Sequence, residues 1–274
     1  MGVMGIIAIF VIGGVGFYFL NSMTKELELD NYGCPKENGP NAVTTIIFDK
    51  SETYTNDQVT DIKSSFRAWL SGKEPAIKGR DINLEQFAVG NLIQLYVTDQ
   101  GSLDIAQGLT PVAQQCIPKD FKDANIYFEN PAFVEKRQNQ FLLKFNDAID
   151  SLLEESEGKS PILETLIRVS NSESFQMHSD KPRHMLIVSD MLQNSDKYSH
   201  YRSSQGTSWE IFEDQMSDTV YVKVRFNTLK VQIFYATRQN PRDRKLQTQE
   251  LVDFWSKFFN NSGADVTDWI RIDG

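Results

Sequence analysis

Residues 43–53, Val-Thr-Thr-Ile-Ile-Phe-Asp-Lys-Ser-Glu-Thr, bring several oxygen-bearing side chains together at close spacing. An apolar run ends in Asp49, and Ser51 and Thr53 follow at alternate positions. One carboxylate and two hydroxyls form a hard-oxygen group suited to Mg²⁺, which keeps several waters and takes few protein ligands. The same residues also suit a plainer role, in which Asp49 caps the next helix and the hydroxyls satisfy backbone donors. Thr55 and Gln58 form a capping-box pair, so a helix is expected to start at once. Strand, polar loop and helix in that order place the oxygens at the carboxyl edge of a parallel sheet, where open α/β sheets bind ligands.

Further elements must bring partners to that edge. Val59, Ile62, Phe66 and Trp69 recur at helical spacing, with Gly72 as a stop. Residues 92–97 predict a second core strand, and residues 99–132 a loop-rich stretch with a short edge strand at 124–128. Residues 131–157 predict a long helix, its apolar face traced by Phe141, Phe145, Ile149 and Leu153. Gly158-Lys159-Ser160-Pro161 breaks it before another helix at 162–169. Residues 184–189 predict a strand ending in Asp190, and the alternation over 219–226 a half-exposed strand. A core strand at 229–235, a helix at 246–259 and a short strand at 269–272 complete the chain. Alternating strands and helices predict a three-layer α/β domain with a mostly parallel central sheet and helices on both faces.

Asp49, Ser51 and Thr53, then Ser160, then Asp190 resemble, in order and spacing, the metal-ion-dependent adhesion site of the von Willebrand factor A family. That site uses a DxSxS loop after the first strand, a Thr in a later loop and an Asp after the fourth strand. Thr53 replaces a Ser and Ser160 a Thr, so a hydroxyl is kept at both positions. The resemblance covers residues 43–274 and implies a Rossmann-like fold and a bound Mg²⁺. The hydroxyls would ligate the ion directly, with Asp49 and Asp190 acting directly or through water, and an acidic side chain of a partner protein would complete the shell. A phosphatase of the haloacid-dehalogenase type also begins with an Asp after its first strand. Ser51 stands where such an enzyme needs a second Asp, which removes the general acid.

Composition narrows the class. The net charge of −9 disfavours nucleic-acid binding, which wants a basic face. Two cysteines, Cys34 and Cys116, are either one bridge in an oxidising compartment or two thiols. Residues 3–20 contain no charged side chain. As a helix they would span roughly 27 Å, close to a bilayer core of about 30 Å. No basic residue precedes the run and no small-x-small site follows it, so an uncleaved anchor at residues 1–22 is expected rather than a signal peptide. Turn-rich residues 23–42 read as a linker.

Two loops complete the reading. Residues 191–218 form a long polar connection beside Asp190, where Tyr198, Tyr201 and Trp209 are candidates for a partner surface. Arg238, Arg242, Arg244 and Lys245 read as a solvated loop, and His178 and His200 as surface residues. The expected protein is a membrane-tethered, non-enzymatic binding or scaffold subunit of an envelope assembly, its soluble domain outside the cytoplasm. It would be Mg²⁺-dependent, or a metal-independent structural subunit on the same fold.

Overall fold

The computed structural model describes residues 28–50, 54–74, 84–98, 105, 107–125, 129–154, 158–202, 204 and 206–273. The anchor at 1–22 therefore lies outside the described residues, as do Ser51 and Thr53. No helix among the described residues is long and apolar enough to cross a membrane.

Six strands form one sheet: β1 (Val43–Phe48), β2 (Leu92–Val97), β3 (Ala113–Cys116), β4 (Arg183–Ser189), β5 (Leu229–Ala236) and β6 (Ala264–Ile272). Their order is β3-β2-β1-β4-β5-β6, with β3 the sole antiparallel member. The direction of winding reverses between β1 and β4, which makes the carboxyl ends of these two strands the topological switch point. Helices α1 (Asn56–Leu70), α2 (Pro131–Glu154), α3 (Ile162–Ser170), α4 (Glu173–Gln176), α5 (Trp209–Met216), α6 (Pro241–Arg244) and α7 (Gln249–Asn261) connect them.

Strand alternation builds two cores. Ile46, Phe48, Leu186, Val188 and Phe234 turn to one face and pack with α1 and α2 through Phe66, Trp69, Phe141 and Phe145. Ile47, Met185, Ile187, Ile233 and Tyr235 turn to the other and pack with α3, α5 and α7 through Leu166, Phe212, Phe254 and Trp255. Every residue of β1 and β4 is buried, which is why each carries a continuous apolar stretch, Ile46–Phe48 and Met185–Val188, rather than an alternating pattern. The capping box of α1 forms as expected: Gln58 N donates to Thr55 Oγ1 at 3.2 Å and Thr55 N to Gln58 Oε1 at 3.1 Å. Gly72 closes the helix at φ 65°, a left-handed position that costs glycine nothing.

Several expectations are corrected. An antiparallel edge strand forms at Ala113–Cys116, where none was expected; of the short strand expected at 124–128, residues 126–128 lie outside the described residues. Its polar Gln114 and Gln115 hid it, because a short edge strand needs backbone pairing more than apolar side chains. Residues 219–226 do not form a strand: Val220–Val222 is a 3₁₀ turn. Asn227 and Thr228 at φ 49° and 63° bend the chain there, and Tyr221 turns inward to donate to Glu164 Oε1 at 3.1 Å. The stretch expected as a linker is folded over residues 28–42. Asp30 Oδ1 accepts from Tyr32 N and Cys34 N, Cys116 N donates to Tyr32 O, and Cys34 is joined to Cys116 in a disulfide.

Candidate functional site at the switch point

The site is an extension of the sheet by one residue. Phe48 pairs with Val97 on one side and Val188 on the other. Asp49 and Thr98, one step beyond the ends of β1 and β2, therefore lie abreast of Ser189, the last residue of β4. Backbone bonds continue the ladder there: Asp49 N donates to Val188 O at 2.9 Å and Thr98 N to Phe48 O at 2.8 Å. Ser160 arrives from the turn before α3, held by paired backbone bonds with Asn194 at 2.8 and 3.1 Å.

Three hydroxyls converge on one carboxylate. Thr98 Oγ1 donates to Asp49 Oδ1 at 2.9 Å, while Ser160 Oγ and Ser189 Oγ donate to Oδ2 at 2.7 and 2.8 Å. Asp49 is only 2% exposed, so these bonds replace the water it gave up on folding. Tyr54 braces the loop by donating from its hydroxyl to Asp49 O at 2.9 Å. Burial, and then the negative charge of Asp49, raises that phenol above its ordinary range.

Asp190 faces a buried guanidinium. Arg238 Nε donates to Asp190 Oδ2 at 2.6 Å, and Leu192 N to Oδ1 at 2.8 Å. Both partners of the ion pair are buried, Arg238 at 7% and Asp190 at 2% exposure. Burial pushes the Asp190 carboxyl up to about 7; Arg238 pulls it back down, and Asp49 pushes it further up. Gln247 locks the pair from the side: its Oε1 accepts from Arg238 N at 2.7 Å, and its Nε2 donates to Ala236 O at 2.9 Å.

The structure thus brings Asp49, Ser160 and Asp190 together, as their spacing predicts. Sequence reasoning missed Thr98, Ser189 and Arg238. Each follows the end of a core strand by one or two residues, or closes it, and that position was the available signal. Arg238 is corrected from a solvated loop residue to a buried ion-pair partner. The aromatic residues assigned to a partner surface are corrected too. Tyr198 is fully buried and Trp209 is 7% exposed. They pack with Phe212 and Phe254 at ring separations of 4.9 to 6.0 Å. Tyr201 is half-buried with Arg242 above its ring. His200, expected at the surface, is buried in the same cluster, which holds its imidazole neutral and its pKa down to about 3. A polar loop beside a sheet edge folded inward because its aromatic side chains had a face of α7 to cover.

Of the five candidate Mg²⁺ ligands, Ser51 and Thr53 lie outside the described residues, and the other three, Asp49, Ser160 and Asp190, are already engaged with neighbouring groups. A hydroxyl that donates to Asp49 can rotate and offer a lone pair to a metal. A guanidinium has no lone pair to offer and stays charged. Arg238 already supplies the positive charge beside Asp190, and a second cation there would meet it across a buried, weakly screened gap. Among the described residues no group of three or more His, Cys, Asp and Glu side chains is placed to hold a metal. Comparison of the sequence with known family models finds no match, and comparison with curated proteins finds no significantly similar chain.

Proposed function

We propose that this chain is a membrane-tethered α/β interaction subunit of an envelope assembly, built on a von Willebrand A-like plan and binding its protein partner without a metal ion. The observation that carries this reading is the buried Arg238–Asp190 pair, which sets a built-in cation where the resembled site would call for Mg²⁺. The convergence of Asp49, Ser160 and Asp190 at the switch point supports the plan. The Cys34–Cys116 bridge supports a domain outside the cytoplasm, since disulfides persist in oxidising compartments. The uncharged segment at 3–20 supports the tether.

No catalytic role follows from this arrangement. Asp49 is committed to three hydroxyls and Asp190 to a guanidinium, so neither is poised as a nucleophile or general base. The deciding experiment is partner retention by the full chain from detergent extracts, with and without EDTA. Retention that EDTA leaves unchanged is expected. Release by EDTA, restored by Mg²⁺, would overturn the metal-free reading in favour of a Mg²⁺-completed contact. Carbonate-resistant sedimentation with membranes checks the tether, and recovery of mature protein beginning near Asn21 would refute it.

A further inference from the structure

A second feature lies further along the same sheet edge, next to the switch point, with which it shares Gln247. A cleft of about 430 Å³ opens beside the carboxyl ends of β5 and β6, lined by Tyr235, Arg244, Thr248, Val252, Trp269 and Arg271 among others. Three observations give it a polarity. The 13-residue helix α7 starts here, and its N-cap, Thr248, makes no side-chain bond to the first turn. Thr248, Gln249 and Val252 line the cleft, so the positive end of that helix borders it, with no acceptor supplied by the cap side chain. Arg244 is exposed and makes no ion pair among the described residues, while Arg271 has a 3.4 Å contact with the equally exposed Asp273. Tyr235 forms the inner wall at 7% exposure, and its buried phenol oxygen makes no hydrogen bond of ordinary geometry, with the Gln247 side chain close beside it. A buried hydroxyl without such a bond is uncommon and points to a missing partner.

We propose that this cleft binds a carboxylate of an acidic peptide segment, held by Arg244, Arg271 and the α7 N-terminus. Charge complementarity selects the occupant: two guanidiniums and a helix N-terminus meet at the cleft, against Asp273 beside Arg271 and Glu250 in the first turn of α7, so an incoming carboxylate takes the place of Asp273. The walls favour a peptide over free phosphate. The indole of Trp269, edge-on to Tyr235 at 5.3 Å, and the side chain of Val252 offer apolar surface that the stem of a Glu side chain covers. The turn that leads into α7, Lys245-Leu246-Gln247-Thr248, has no glycine, so it lacks the chain of close amides that cradles phosphate. The Asp273–Arg271 contact is exposed and weak, and Asp273 Oδ1 keeps its bond from Thr237 Oγ1 at 3.0 Å when Arg271 turns to an incoming carboxylate.

The proposal names the partner chemistry for the interaction reading above and rests on it. The test titrates full-length protein with N-acetyl-tetraglutamate by calorimetry and tryptophan fluorescence. Saturable binding that weakens with salt is expected. Arg244→Gln combined with Arg271→Gln should weaken it about 10-fold or more, the scale of a lost charge-assisted bond. Tyr235→Phe should weaken it by less while leaving the thermal midpoint in place. Trp269→Phe should abolish the fluorescence response but not the heat. No saturable binding, tetralysine binding as well as tetraglutamate, or an unaffected double variant would each overturn the proposal. Inorganic phosphate binding more tightly than the peptide would overturn the choice of occupant. A double variant that still retains the natural partner refutes the cleft alone, whereas release by EDTA refutes the metal-free reading alone.

Discussion

Asp190 and Glu164 are both 2% exposed, yet the protein meets the cost of burying each carboxylate differently. Asp190 has a guanidinium at 2.6 Å and a second carboxylate, Asp49, close enough to raise its pKa. Glu164 has neutral donors only: Ser195 Oγ at 2.5 Å, Gln193 Nε2 at 3.0 Å and Tyr221 Oη at 3.1 Å, with no ion pair among the described residues. Neutral donors satisfy lone pairs without cancelling charge. A guanidinium cancels charge but is itself stripped of water. Where two acids meet at a strand edge, hydroxyls alone leave their repulsion standing. A single acid inside the α3 side of the core does not need more than hydroxyls and an amide. The switch point is thus the region held by charge, and the Glu164 centre the region held by hydrogen-bond geometry.

Deleting the cation should produce the largest effect. Arg238→Ala leaves two carboxylates buried side by side, and a loss of about 3–5 kcal/mol in urea unfolding is expected. With the guanidinium gone, the same oxygens become an open cage. Millimolar Mg²⁺ should then raise the thermal midpoint of Arg238→Ala while leaving the wild type unmoved. A Mg²⁺-stabilised wild type would erase the distinction between the two regions as drawn here.

The next effect is one of pH. The folded-state pKa of Asp190 is raised to about 7 from its ordinary 3.8, so between those values the folded chain holds a proton the unfolded chain has released. Its contribution to stability is therefore present at low pH and lost as pH rises toward 7, by up to about 1.4 kcal/mol per unit. His200 acts in the opposite sense: held neutral, with its pKa lowered from 6.5 to about 3, it costs stability as pH falls through that interval. The two oppose each other, so unfolding midpoints measured from pH 4 to 6.5 should change little in the wild type. Asp190→Asn should uncover the His200 slope, with stability rising with pH. A wild-type profile identical to that of Asp190→Asn would show that Asp190 does not hold its proton.

The smallest effect belongs to the neutral centre. Tyr221→Phe removes one of three donors from Glu164 and should cost about 1–2 kcal/mol with no new response to Mg²⁺. A loss as large as that of Arg238→Ala would mean that Glu164 depends on a single bond rather than on a shared set.

Much of this was legible in the residues. Buried parallel strands show as apolar runs, so β1, β2, β4 and β5 stood out within a residue or two. Asp49, the first polar side chain past its run, and Asp190, which follows Ser189 at the end of its own, marked the sheet edge. The Thr55–Gln58 box and the apolar faces of α1, α2 and α7 are local patterns, set by helical period and capping. The edge strand β3 and the false strand at 219–226 were not legible, because backbone pairing in one and an inward-turned Tyr221 in the other depend on distant neighbours. The aromatic loop was read outward for the same reason: only α7 decides which way Tyr198 and Trp209 face.

The sequence by itself determined the alternation of strands and helices, the carboxylates at strand ends and the uncharged segment at 3–20, since each depends on residues near one another in the chain. Tertiary structure alone decided what those carboxylates meet. Asp49 finds Ser160 across 111 residues and Asp190 finds Arg238 across 48. Strand register sets both encounters, and register comes from the packing of whole faces rather than from any one segment.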